Sequence, residues 1–421
     1  CSNNISNSNS SISHSITSLR QMGRIDWRDF VEDLSATEAI LRQDPGGVHP
    51  EMDFRSRDLC RHEIEDLSRR SSCKEEDVAS IALRLATERS QSPENDPREG
   101  TVGYFLIGTG RSELETETHY RPTMRRRIER YVLGRALPVY LLAITLLTAV
   151  LSFAVLKIVG SGMPRWWLGV TGIAVILVAS RSAVSLVNWW ANLAVTPRAL
   201  PRLDFSAGIP DAHRTAVAVP AMLSSAATVD KLLEHLELRY LGNRSPNLLM
   251  VLLTDLPDAI QEHMPEDKVL LERALDRIRE LNTRYAADSR PAFYLLHRPR
   301  LWNEHQRRWM GHERKRGKIE HFNRLVLTGA TGPFSLIEGD IGRLRSVRYG
   351  IVLDADTQLP PQAAWKMIAS MAHPLNSPHV DLTRQCVTRG YGILQPRLAV
   401  SLPQSQRSRF AGLFAGDVGL D

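Results

Sequence analysis

Apolar and polar positions divide the chain into four unequal parts. Residues 1–22 are mainly polar and rich in Ser and Asn. They lack a basic start followed by an apolar run, so they read as a disordered leader and not as a signal peptide. From 23 to 120 apolar residues recur at helical spacing, first at Phe30, Leu34, Ile40 and Leu41 before the break at Pro45 and Gly46. RDLCRHEIEDLSRR and EEDVASIALRLATER repeat that spacing and predict a small helical region. Between 121 and 200 the periodicity disappears into apolar runs. After Pro201 short apolar runs alternate with amphipathic ones: TAVAVP, NLLMVLLTD, AFYLLHR and GIVLDADT read as strands, with helices predicted between the first three. Strands alternating with helices predict a mainly parallel sheet covered on both faces, with ligands at the carboxyl ends of its strands.

The third part has the length of a membrane hairpin. Ala136 to Leu156 carries no charge, and 21 residues at 1.5 Å each span about 32 Å, the thickness of a bilayer core. A second run from Trp166 continues through Arg181 into AVSLVNWWANLAV, with Trp pairs at both ends that suit the headgroup layers. Arg181 leaves open a helix lying in the interface. A connection of about ten residues favours two spanning helices.

Charge sharpens this picture. The chain holds 53 Lys+Arg against 47 Asp+Glu, a net +6, which does not suggest a nucleic-acid partner. Arg121 to Arg135 alone holds six Arg and one Glu, and Arg290 to Glu320 holds nine Lys/Arg and three Glu. The first patch abuts the first apolar run, so the positive-inside rule places both ends of the hairpin in the cytoplasm, although a solvated charge run would look the same. Four cysteines without a C-x-x-C pair read as reduced thiols. The glycines of GTGRSE lack the third glycine of a dinucleotide fingerprint, and no helix is evident after them.

Candidate chemistry collects just after the apolar runs. GIVL ends in Asp354-Ala355-Asp356-Thr357, two carboxylates one residue apart at a strand mouth, able to meet Mg²⁺ or Mn²⁺ and a phosphate it carries. A turn with an Asp cap before PQAAWKMIASMA is the other reading. The second strand ends in Asp255, with Asp258 close by, where a carboxylate can accept from a nucleobase or ribose or can cap a helix. The second basic patch, RLWNEHQRRWMGHERKRGKIEHFNRL, reads as a flexible loop-to-helix segment facing the same mouth. It can neutralise a diphosphate, contact anionic lipid or form a solvated helix face.

These residues carry a resemblance. Strand-Pro220, strand-Asp255, R-K-R-G-K with Asn323 five residues on, and L-D-A-D-T resemble the donor half of a GT-A glycosyltransferase of the family that includes cellulose and chitin synthases. MDFRSRD, VGYFLIGTGRSELE, the long Arg-rich motif, LDADTQLP, MAHPLN and GYGILQPR together are similar to the cyclic β-1,2-glucan synthases of bacterial inner membranes. The resemblance implies an α/β GT-A-like domain over 201–421, preceded by a transmembrane hairpin in 121–200 and the cytoplasmic helical region. It further implies a UDP-glucose donor, a divalent metal, a growing glucan acceptor and a multi-pass protein of the inner membrane whose helical and transferase parts are cytoplasmic. By position, Asp354 and Asp356 would hold metal and donor, Asp255 would lie near the uridine and Lys318 near the diphosphate. Gln395, after a strand GYGIL, would line the acceptor side.

The family's general base, its Q-x-x-R-W signature and its carboxy-terminal domains have no counterpart in the sequence. They are expected beyond Asp421, as for an amino-terminal fragment. A non-catalytic, membrane-anchored scaffold that binds partners or anionic lipid is the reading of another class.

Overall fold

The computed structural model of the chain describes residues 32–91, 96–159, 164–195, 199–285 and 291–396. The leader at 1–22 and the stretch after 396 lie outside the described residues. The helical region forms as its pattern predicts, with helices at Ala36–Leu41, Phe54–Ser68 and Glu75–Ser90. Ser35 caps the first by accepting from the Glu38 amide at 3.2 Å, and Asp53 caps the second by accepting from Ser56 at 2.9 Å. Their apolar stripes meet at Ile64, Leu67, Val78, Ala82 and Leu85. The buried Glu38 sits at the junction of these helices, 3.2 Å from His49 Nε2 and 2.9 Å from Arg61 Nη1. Burial opposes its charge, but hydrogen bonds and charges from His49 and Arg61 hold its carboxyl down at about 2.

One sequence expectation is corrected here. A helix does follow the glycines of GTGRSE, starting within that motif and running over Arg111–Glu117. Gly110 lies directly on the rings of Tyr104 and Phe105, so the absence of a side chain there serves packing. The three described cysteines, Cys60, Cys73 and Cys386, are free, and burial pushes the Cys60 thiol up to about 12.

A basic helix, Met124–Gly134, leads into two helices long and apolar enough to cross a bilayer, Ala136–Val159 and Arg165–Ala194. At 24 and 30 residues they are about 36 and 45 Å long. The second runs unbroken through Arg181, and the described helices end at Val159 and begin at Arg165. The two pack through small residues, with Ser152, Ala179 and Ala183 buried while the large Leu, Ile, Val and Trp side chains face outward. Two of the Arg residues that precede them are engaged by protein. Arg126 pairs with Asp66 at 2.6 Å, and Arg130 donates to Glu115 at 2.8 Å.

The part after Pro201 forms a five-stranded sheet in the order β6-β3-β2-β1-β7. Its strands are β1 Thr215–Met222, β2 Leu248–Asp255, β3 Phe293–His297, β6 Leu336–Glu338 and β7 Tyr349–Val352. β1, β2, β3 and β7 are parallel, and β6 closes one edge antiparallel. β2 is buried at every position, which is why it reads as an unbroken apolar run. Ala226–Gly242 and Asp267–Arg284 cover one face; Phe322 and Leu325 of Arg314–Thr328 cover the other. Pro220 lies in a central strand, a place proline avoids. β7 pairs β1 only from Thr215 to Ala218, so Pro220 falls past the end of its neighbour and interrupts no rung.

Two small hairpins were not expected: β4 Leu301–Asn303 with β5 Arg308–Met310, and β8 His379–Asp381 with β9 Cys386–Arg389. Among the described residues after Gly390 there is no strand, so GYGIL does not form the strand expected ahead of Gln395. The helical region is not a separate ball. One cluster of buried side chains runs from Leu41 through Leu203 and the first sheet face to Ala372. Met52 bridges to Leu203, and Arg202 pairs with Asp53 where the two parts join.

Burial pushes two imidazoles down to about 4, His297 at the end of β3 and His373 at that junction. Folded, both stay neutral until about pH 4; unfolded, they take up protons below their ordinary value of 6.5. The unfolded state therefore binds more protons between these values, and stability should fall as pH drops from 6.5 to 4. Thermal melts of the wild type across that window should show the loss. His373→Asn, which retains an acceptor for the Leu375 amide, should flatten part of it.

Candidate functional site

The carboxyl ends of β1, β2, β3 and β7 lie along one edge of the sheet, and the sequence places an ionisable group at or just after three of them, β2, β3 and β7. Asp255 ends β2 and is buried. Arg298, directly after β3, donates to it twice, Nε to Oδ1 and Nη2 to Oδ2, both at 2.9 Å. Lys318 Nζ lies 3.1 Å from the same Oδ2 and donates to the Ala221 carbonyl of β1 at 2.7 Å. Burial works against the Lys318 charge and lowers its pKa, with Asp255 opposing that effect. Two cations and one anion are thus sealed beneath the edge. Their hydrogen bonds make the burial tolerable, since a buried ion without partners is strongly unfavourable.

This cluster fixes the basic helix Arg314–Thr328. Lys318 belongs to its second turn, and Arg298 Nη2 also donates to the Arg314 carbonyl at 3.2 Å. Two glycines permit the approach: a Cβ at Gly311 would strike the Asp255 carboxylate, and one at Gly317 would strike the His312 carbonyl and the Arg298 guanidinium. Glu313 and Arg314 enter the helix with φ of 50° and 43°, a left-handed backbone that non-glycine residues rarely adopt. Arg314 Nη2 in turn donates to Asp258 Oδ2 at 2.7 Å on the surface. The segment between β3 and the helix, expected to be flexible, is the β4–β5 hairpin. Trp302 and Trp309 pack edge to face across it at 5.8 Å, and mutual 2.9 Å backbone bonds between Trp309 and Ala259 tie it down.

The acidic turn stands opposite. β7 ends at Val352 and the chain leaves the sheet, placing Asp354 and Asp356 in a turn. Neither caps the following helix, Ala363–Ala372, whose N-cap is Gln362. Arg239, buried in the helix after β1, holds the turn from below, donating to the carbonyls of Asp354 at 3.1 Å, Ala355 at 2.7 Å and Thr357 at 2.7 Å. Lys315, exposed on the basic helix, donates to Asp354 Oδ1 at 2.5 Å. Among the described residues no group of three or more His, Cys, Asp or Glu forms a metal cage. Two carboxylates fit a hard cation that retains waters and takes its remaining oxygens from a phosphate. The ammonium of Lys315 on Asp354 already shows that carboxylate receiving a cation.

The structure therefore joins Asp255 to Lys318, brings Asp354 to the neighbouring Lys315, and leaves Gln395 apart. Gln395 is exposed, and no described hydrogen bond ties it to the edge. The β8–β9 hairpin before it leans on the helical region, where Arg389 lies 3.5 Å from Glu99. Sequence reasoning missed Arg239 and Arg298. A signal for Arg239 existed: it sits three residues after Leu236 on the buried stripe of its helix, a charge where an apolar residue belongs.

A parallel sheet with an acidic turn and a clamped basic helix at its carboxyl edge defines an α/β protein with its candidate site at the strand ends. No family model matches the chain. Over its whole length, however, it is 36% identical across 427 aligned residues to the cyclic beta-(1,2)-glucan synthase NdvB of Rhizobium meliloti (strain 1021), of which it spans 15%. The whole chain is thus similar to a segment of a cyclic β-(1,2)-glucan synthase.

Asp255→Ala should leave Arg298 and Lys318 buried without their counter-ion and cost about 3–5 kcal/mol. Asp354→Ala, which breaks an exposed pair, should cost less than about 1 kcal/mol. Denaturant titration of both variants against the wild type measures the contrast.

Proposed function

We propose that this chain is the donor-binding part of a membrane-bound inverting glucosyltransferase of GT-A type that extends a β-1,2-glucan from UDP-glucose. The observation that carries the proposal is the Asp354-Ala355-Asp356 turn facing Lys315 across the carboxyl edge of the sheet, in a chain that matches a glucan synthase from end to end. In this reading Asp354 and Asp356 bind Mg²⁺ or Mn²⁺, which when present neutralises charge on the diphosphate leaving group. Lys315 and Arg314 approach the same phosphates from the basic helix, whose position Lys318 and Arg298 fix from beneath. Asp255, both of whose oxygens are engaged by these cations, supports the nucleotide site and does not read the base directly. Asp258, on the rim and paired with Arg314 through Oδ2, is the carboxylate we place within reach of ribose or uracil. Arg239 keeps the acidic turn in one conformation, so the cation ligands need not be ordered on binding.

Forming a β-linkage from an α-linked donor requires displacement from the opposite face, with a base to take the acceptor's proton. We assign that base to none of the described residues. Gln395 remains a candidate for the acceptor side. In this reading the two apolar helices anchor the domain in a bacterial inner membrane, and the Arg-rich helix ahead of them supports, by the positive-inside rule, a cytoplasmic helical region and sheet.

Full-length protein in membranes should incorporate labelled glucose from UDP-glucose into glucan when Mg²⁺ or Mn²⁺ is present. Asp356→Ala should reduce the rate by roughly 10²-fold or more. No incorporation by the wild type would end the transferase reading, and full activity of Asp356→Ala would end the metal assignment alone. In oriented membrane vesicles, a protease site inserted near Ser161 should be cut only from the face opposite the cytoplasm.

A further inference from the structure

Arg181 is a charge in a place where a bilayer offers it no partner. It lies about 22 Å along the helix from Trp166 and about 12 Å from Trp189, well inside the span those Trp pairs bracket. It stands two residues from both Ala179 and Ala183, the buried contacts with the other helix, and so about 200° around the helix from each of them. Its side chain is exposed and has no ion pair among the described residues. Helical side chains lean toward their own N-terminus, which carries Arg181 away from the nearer interface and deeper into the apolar layer. Ser185, one turn further on, is exposed as well, whereas Asn188, two turns on, accepts from Tyr140 Oη of the companion helix at 2.9 Å. Ser185 extends the charge into a short polar stripe beside outward apolar side chains such as Val178 and Leu186. Polar stripes of this kind face protein or water within a membrane, not lipid.

The sequence narrows what can cover the stripe. From Ala136 to Ala194 there is no Asp or Glu. Neither the companion helix nor the same hairpin of a second copy can therefore neutralise Arg181, and a second copy would bring another Arg to the contact. The chain spans only 15% of the relative it matches, so most of a related protein of that size is available to supply the cover.

We propose that the Arg181–Ser185 face of the second apolar helix is the docking surface for a further membrane helix that carries a carboxylate at the depth of Arg181. The proposal rests on the membrane-spanning reading of the two helices. Alkaline carbonate extraction of the full-length protein tests that reading separately, since release into the soluble fraction would remove it.

With the protein retained in the membrane, a photoreactive benzoylphenylalanine replacing Ser185 should cross-link to a peptide of another membrane helix that contains Asp or Glu. The same probe replacing Leu186, about 100° away from Ser185, should label lipid. Arg181→Leu should lower the yield of intact, detergent-extractable protein about tenfold through the unpaired carboxylate it leaves. Arg181→Lys should lose much less, and replacing the cross-linked acid by Leu together with Arg181→Leu should restore the yield. Labelling of lipid alone at position 185 would overturn the proposal. So would a cross-link between two copies of this helix, a cross-linked helix without an acidic residue, or an undiminished yield of Arg181→Leu.

Discussion

The arrangement at the sheet edge depends on one buried carboxylate. Asp255 ends the most deeply buried strand and draws in Arg298 from the next strand and Lys318 from the basic helix. Without an anion at that point neither cation would be stable inside the fold. With it, three segments far apart in sequence meet at fixed geometry, and the left-handed entry into the basic helix is held in place. The exposed part of the site, Lys315 against Asp354, inherits its position from that hidden triangle. A surface ion pair on its own is too weak to order the loops that present it.

The acidic turn is organised the same way from the opposite side. Arg239 supplies the carbonyls of Asp354, Ala355 and Thr357 with donors that the sheet no longer provides once β7 ends. Buried arginines that serve backbone carbonyls let a turn be rigid without being hydrophobic, so its carboxylates stay free at the surface. Both supports come from elements that also build the core, which couples the exposed chemistry to the stability of the fold.

Much of this was legible in the sequence, and the exceptions have physical causes. β1, β2 and β3 announce themselves as apolar runs because both faces of the sheet are covered. The helices of 23–120 and 226–284 announce themselves by their stripes. The D-x-D motif was found because it follows an apolar run, and R-K-R-G-K because of its charge density. The charge density also misled: Lys318 looks like a surface ligand in a row of cations, whereas it is the member of that row turned inward. The three-residue strands of the β4–β5 hairpin are too short for alternation to register, and its Trp pair is separated by six polar or charged residues. GYGIL has the composition of a strand but finds no strand beside it. Arg298 carried no signal, because its burial follows from a partner forty-three residues away.

Pro220 has a consequence that reaches the acidic turn. The last rung between β7 and β1 is the Leu353 amide donating to the Ala218 carbonyl at 3.1 Å. In a parallel ladder the next rung would run from residue 220 to the carbonyl of Leu353, and proline has no hydrogen to give. β7 therefore cannot zip further along β1. The ring of one proline acts as a stop, and the chain is turned out of the sheet one residue before Asp354. Were the ladder free to continue, Asp354 and Asp356 would become alternate residues of an ordinary strand, and the turn whose carbonyls Arg239 gathers would not form.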